Sequence, residues 1–209
     1  MLKLTILIPH KHDPENDKAL AIALACLATN TRADFELLVD TTTPADPYVV
    51  LNRMAAAAHG EYLFFSNSDI FVAPCWDVDL LAKAQPNVMV TATLVEPGAI
   101  GLFPGNMRRD FGMTPDTFRR ADWEHWAAVP DGDLPDGEGF YYYALIHRET
   151  FLARGAFDTR IGTFPTPLDI HFWDAWKADG LTIVRSAALV YHLQNYSNPE
   201  EQAKAVRHG

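Results

Sequence analysis

EYLFFSNSDI, residues 61–70, runs from an apolar segment, 62–65, into a polar cluster whose one charge is Asp69. A short leucine and aromatic run bounded by polar residues has the pattern of a buried strand. Its abrupt polar end has two readings. One is a plain turn. The other is a strand leaving the core for a cleft in which Asp69 holds a metal ion.

Upstream, the strand signal occurs twice more, in LKLTILIP, ended by Pro9, and in FELLVD, residues 35–40. Between them Asp13 and Pro14 supply an N-cap and a first helical residue, and Leu20, Ala23, Leu24 and Leu27 follow at helical spacing. Asp46 and Pro47 repeat the start signal for a helix through Ala58, stopped by Gly60. The resulting β-α-β-α-β alternation predicts a single α/β domain with a mostly parallel sheet and helices on both faces. Right-handed crossovers then bring the carboxyl ends of the three strands to one edge, where ligands of open α/β sheets bind. His10, Lys11, His12, Asp40, Thr41 and Asp69 all fall there.

Downstream, a short helix is expected near 77–84 and a strand at 87–95. From Pro97 to about Gly139 glycines and prolines interleave with Phe103, Phe111, Phe118, Trp123 and Trp126 and with the pairs Arg108–Arg109 and Arg119–Arg120. Such a segment in a compact domain is a functional loop or lid. Order returns with FYYYALIHRETF, a strand leading into a short helix. The helix TPLDIHFWDAWKADG and one or two strands in LTIVRSAALVYH complete the pattern. Residues 1–96 form one half, 97–195 the second half of the same domain, and 196–209 a polar tail.

The formal net charge of −10 argues against broad electrostatic affinity for nucleic acid or anionic membrane. The two cysteines, Cys26 and Cys75, point to a reducing compartment without a disulfide framework. No apolar run approaches the roughly 20 residues of a membrane helix, and the first ten residues read as a strand, not a signal peptide. A cytoplasmic protein without a transmembrane segment is the expectation.

Three residues stand out as chemistry carriers. On a helix Asp169 shares a face with Phe172, Trp173 and Trp176. Desolvation on that apolar face raises a carboxylate's pKa, which suits a general base, although an N-cap explains the same position. His192 ends the strand LVYH, as a structural histidine or a ligand. Carboxylate oxygens such as those of Asp69 suit Mg²⁺ or Mn²⁺, and an added imidazole shifts the preference toward Mn²⁺.

The blocks LTILIPHKHD, FELLVDTTTPAD, LNRMAAAAHGEYLFFSNSDI and the segment from Gly139 to Gly180, with its GxFD and aspartate-headed helix, together resemble the family 2 glycosyltransferases of the Rossmann-like GT-A fold. The likeness runs from Leu4 to about His192. It implies that Asp69 is the last aspartate of the metal-binding DxD element, that His192 completes the metal site with Mn²⁺ or Mg²⁺, and that Asp169 is the catalytic base. It further implies donor contacts for Pro9, His10, Asp40, Thr41, Asn52, Arg53 and Ser68. The chain departs from the family at Asn67, in place of the first DxD aspartate. It departs again at Thr41, in place of a second nucleobase acid, and at Leu168, in place of the acid before the base.

The expected function is a metal-dependent, inverting glycosyl transfer from a nucleoside-diphosphate sugar, with a UDP-sugar favoured, to an acceptor hydroxyl. The aromatics of 97–139 either stack on sugars or pack the segment onto the sheet. The arginine pairs either grip a phosphate, which admits a transferase acting on modified bases in DNA, or are ordinary surface charge. A non-catalytic sugar-nucleotide-binding module is a rival from another class. A nucleotidyltransferase ranks last, because PHKHDP has no glycine.

Overall fold

A computed structural model describes residues 2–41, 46–98, 105–131, 138, 143–160 and 168–194, with the side chains of 168 and 169 excepted. Eight strands form one sheet: β1 Leu4–Pro9, β2 Phe35–Asp40, β3 Tyr62–Phe65, β4 Ile70–Val72, β5 Val88–Glu96, β6 Met107–Arg108, β7 Ala144–His147 and β8 Thr182–His192. The helices are α1 Pro14–Asn30, α2 Pro47–Ala57, α3 Trp76–Leu81, α4 Arg120–Ala128, α5 Arg148–Ala153 and α6 Leu168–Ala178. No described helix is long and apolar enough to cross a membrane.

The strand order is β2-β1-β3-β7-β5-β8-β4, with β6 beside β5. β1 pairs in parallel with both β2 and β3, so the β-α-β-α-β reading of the first half holds. The sheet as a whole is mixed. β7 runs antiparallel to β3 and β5, and β4 antiparallel to β8. Strands from both halves of the chain alternate across its centre.

Side chains alternate across this sheet with the period of a strand. Leu4, Ile6 and Ile8 join one core with Ala23 and Leu27 of α1, Trp76 of α3 and Trp123 of α4. Leu7, Leu63 and Phe65 join the other, with Leu51 and Met54 of α2, Phe151 of α5 and Trp173 and Trp176 of α6. Helices therefore cover both faces.

Local chemistry sets the helix starts. The Asp13 carboxylate accepts from the Glu15 and Asn16 amides, and Asp46 accepts from the Tyr48 amide, each just before a proline. Gly60 is not the helix stop expected from the sequence: α2 ends at Ala57, with Ala58 already extended, and Gly60 serves the sheet instead. A Cβ there would lie 2.6 Å from the carbonyl carbon of Leu4 and from the amide nitrogen of Thr5, so only glycine allows β3 to start this close to β1. LTIVRSAALVYH is one strand, broken by a register shift against β5 between Thr91 and Thr93. Ser186 fills the irregularity, its hydroxyl donating to the Thr91 carbonyl at 3.0 Å and accepting from the Ala188 amide at 3.2 Å.

The 97–139 segment is more ordered than its composition predicts, because it contains β6, a 3₁₀ turn at Pro115–Thr117 and α4. Its described aromatics pack against the sheet. Trp123 is fully buried, Phe111 lies 5.6 Å from the ring of Tyr191, and Phe118 stacks on Tyr191 at 5.5 Å. Packing accounts for the buried Phe111 and Trp123, while Phe118 and Trp126 stay partly exposed; Phe103 lies outside the described residues. Three of the four arginines are committed as well. Arg109 pairs with Asp131 at 2.6 Å, Arg120 with Glu124 at 2.8 Å, and Arg119 with Asp122 at 3.4 Å. That neutralises most of the local positive charge invoked for a nucleic-acid backbone. The polar tail lies outside the described residues.

Candidate active site

β1, β2 and β3 end together at one sheet edge. The His10 amide donates to the Asp40 carbonyl at 2.9 Å, and the Ser66 amide to the Leu7 carbonyl at 3.0 Å. Past β3 the chain makes a tight turn through Asn67, Ser68 and Asp69, and the Ile70 amide returns to the Asn67 carbonyl at 3.4 Å. So the stretch is a turn, and a turn with a purpose: it delivers Asp69 to β8. Antiparallel pairing sets Ile70 opposite His192, and the Leu193 amide donates to the Asp69 carbonyl at 3.2 Å.

Residues more than a hundred positions apart thereby meet. His192 Nε2 lies 3.2 Å from Asp69 Oδ2, with side-chain exposures of 19% and 24%. On the far side of the ring, His192 Nδ1 contacts Glu96 Oε1 at 2.8 Å. Glu96 is buried at the end of β5, and its second oxygen accepts from the Asn106 amide group at 3.0 Å. The Asn67 amide group approaches the Tyr143 hydroxyl at 3.5 Å.

Electrostatics follow from that chain of groups. Burial pulls the His192 pKa down, but the Asp69 and Glu96 carboxylates override it and push it up to about 10. Burial raises the Asp69 carboxyl, yet the facing imidazolium holds it below the ordinary aspartate value. The donor set fits a divalent cation. Two ligand atoms bound cis to an octahedral ion at about 2.1 Å lie about 3 Å apart, close to the spacing found here. Glu96 accepts the Nδ1 hydrogen, so a ring that gives up its Nε2 proton to a cation would turn that lone pair toward Asp69, the usual support of a metal-bound histidine.

Pro9 and His10 stand at the end of β1, opposite Asp40 in register. Asp40 and Arg53 pair through Nε at 3.1 Å and wall an open groove of about 320 Å³ together with Leu37, Val39, Met54 and Ala57. Thr41 follows, exposed, and Ser68 is buried in the turn beside Asp69. Asn52 has a structural task. Its amide donates to the Phe157 carbonyl at 2.8 Å and accepts from the Phe157 amide at 3.0 Å, which ties α2 to the segment after α5.

Asp169 lies in the first turn of α6. Phe172, Trp173 and Trp176 are buried as the helical spacing required. The helix-start residues 161–167 lie outside the described ones.

Glu96 and Asn106 escaped the sequence reading. The signal for Glu96 was present: a charged residue closing the apolar run VMVTATLV has the same pattern that singled out His192.

No protein-family model matches the chain, and no curated protein is similar to it in sequence. Solved structures are similar in fold. GalNAc-T7, crystallised with UDP, GalNAc and Mn²⁺, aligns over 92% of this chain with a TM-score of 0.61 and 10% identity. The chain spans 44% of that structure's length. S. aureus TarS, residues 1–349, aligns over 98% of this chain and 69% of its own, with a TM-score of 0.56 and 8% identity. A glycosyltransferase involved in glycosylation of the major capsid of PBCV-1 aligns over 99% and 98%, with a TM-score of 0.53 and 14% identity. At such identities the likeness speaks for architecture, and the architecture is the GT-A-type fold of glycosyltransferases.

Proposed function

We propose that this protein is a metal-dependent, inverting glycosyltransferase that moves a sugar from a nucleoside-diphosphate donor to an acceptor hydroxyl. One observation carries the reading. The turn after β3 and the end of β8 meet as a carboxylate and an imidazole 3.2 Å apart, with Glu96 supporting the ring from behind. A GalNAc-T7 structure of the same fold holds UDP and Mn²⁺, which favours a UDP-sugar and a divalent cation, Mn²⁺ or Mg²⁺, for this chain.

Asp69 and His192 would hold the cation; when bound, it supplies positive charge against the departing diphosphate. Asp40, Thr41 and Arg53, beside the groove, would receive the nucleobase, and Pro9, His10 and Ser68 would line the path to the diphosphate. Asp169 would take the proton from the acceptor hydroxyl as it attacks the anomeric carbon from the face opposite the leaving group.

A panel of sugar nucleotides offered with Mn²⁺, scored for thermal stabilisation and for slow release of free nucleoside diphosphate, tests this directly. The cognate donor is expected to stabilise the fold in a chelator-sensitive way, and Asp169→Asn to abolish transfer while donor binding persists. Turnover undiminished by chelator would overturn the metal role. Nucleotide binding without turnover for any acceptor would instead favour a non-catalytic binding module, the reading that Asn67 and Leu168 motivate.

A further inference from the structure

We propose that His10, His12 and Asp17 form a second cation site, for a divalent ion of the zinc class, distinct from the Asp69–His192 pair and sharing only His10 with the proposed donor path. His10 Nε2 lies 2.8 Å and His12 Nδ1 3.0 Å from the same oxygen, Asp17 Oδ1. The three ligand atoms all fall within 4.8 Å of one another, and among the described residues this is the one group of three or more such side chains that does so.

The ligands are held in advance. The His10 side chain is fully buried, and its main-chain amide is tied to the Asp40 carbonyl at 2.9 Å. Its ring meets the His12 ring edge-on at 5.0 Å. Asp17 sits one turn into α1, whose start is fixed by the Asp13 cap.

The Asp17 oxygen can accept from both imidazoles at once in the metal-free protein, and a cation between them would use one lone pair from each of the three groups instead. Ligand atoms around a tetrahedral ion with bonds of about 2.0–2.1 Å lie about 3.3 Å apart. The two nitrogens lie within 4.8 Å of each other, and the two nitrogen–oxygen separations, 2.8 and 3.0 Å, need an opening of only a few tenths of an ångström. His12 and Asp17, with exposures of 64% and 52%, are free to make it.

Two nitrogens and one oxygen select Zn²⁺, Co²⁺ or Ni²⁺ over Mg²⁺ or Ca²⁺. The solvent side of the cluster leaves a fourth position for water or an anionic oxygen, the arrangement of an exchangeable site.

Cobalt(II) provides the test, because a tetrahedral His₂Asp set gives it strong visible absorption. Metal-free full-length protein titrated with Co²⁺ should develop this band at one equivalent, and equimolar Zn²⁺ should bleach it. The band should persist in the Asp69→Ala/His192→Ala variant. It should vanish in His12→Ala and in Asp17→Ala, both exposed positions at which folding is checked by thermal denaturation. Loss of a ligand is expected to weaken Zn²⁺ binding by at least the roughly 10–100-fold seen when a ligand's supporting hydrogen bond is removed. A wild-type protein without the band, a band that survives His12→Ala, or one that depends on Asp69 and His192 instead, would overturn the proposal.

Discussion

Tyr191→Phe separates a packed 105–131 segment from a mobile lid. The Tyr191 ring is fully buried, and its hydroxyl donates to the Gly112 carbonyl at 2.7 Å while accepting from the Phe111 amide at 3.0 Å. Burial accordingly pushes the phenol pKa up to about 12. Phenylalanine keeps the stacking with Phe118 and the edge contact with Phe111, so only the two hydrogen bonds are lost. Each buried main-chain group left without a partner costs about 1–3 kcal/mol, so the pair should cost about 2–6 kcal/mol. At about 2–4 °C per kcal/mol for a chain of this size, the midpoint of thermal unfolding should fall by roughly 4–24 °C. Urea denaturation of both proteins gives the free energy, and amide exchange at Phe111 localises it. A segment that merely covers a cleft would respond as a surface does, within about 0.5 kcal/mol. A loss that small, with Phe111 exchanging at its wild-type rate, would refute the packed-layer account.

Other consequences are equally open to measurement. Glu96→Leu leaves the His192 Nδ1 hydrogen without its acceptor, so Mn²⁺ affinity should fall about 10–100-fold by isothermal titration; Asp69→Asn should abolish binding in the same assay. In the metal-free chain the raised His192 pKa means that its ion pair stabilises the fold fully below the unfolded value of about 6.5, and that this support fades as pH rises through about 10. Cation binding has the opposite slope, since Nε2 must first lose its proton. Between pH 7 and 9 the Mn²⁺ affinity should climb about tenfold per pH unit, whereas a plateau near pH 7 would show an ordinary histidine. Gly60→Ala drives a Cβ into the β1 backbone and should cost about 1–3 kcal/mol or more in chemical denaturation.

Wherever local chemistry decides a conformation, the amino-acid order was enough. FELLVD is β2 residue for residue, and the Asp-Pro pairs at 13–14 and 46–47 start α1 and α2, because caps and prolines act on their immediate neighbours. The aromatic face of α6 was legible for the same reason, helical spacing being a local property. Three elements were not. β4 is three residues long and exists through its pairing with β8; β6 is a two-residue bridge to β5. α4 starts at Arg120 without a side-chain cap, amid glycines and prolines.

The candidate site divides along the same line. Asp69 and His192 could be picked out singly, as polar residues closing apolar strands. That they touch, that Glu96 stands behind the imidazole, and that Trp123 and Phe111 face the sheet instead of a sugar are outcomes of strand order. Pairing between β4 and β8 and between β5 and β8 brings together groups from distant parts of the chain. Residues spaced this way carry no mutual signal in one dimension, because nothing in the chain between them fixes their distance until the sheet has formed.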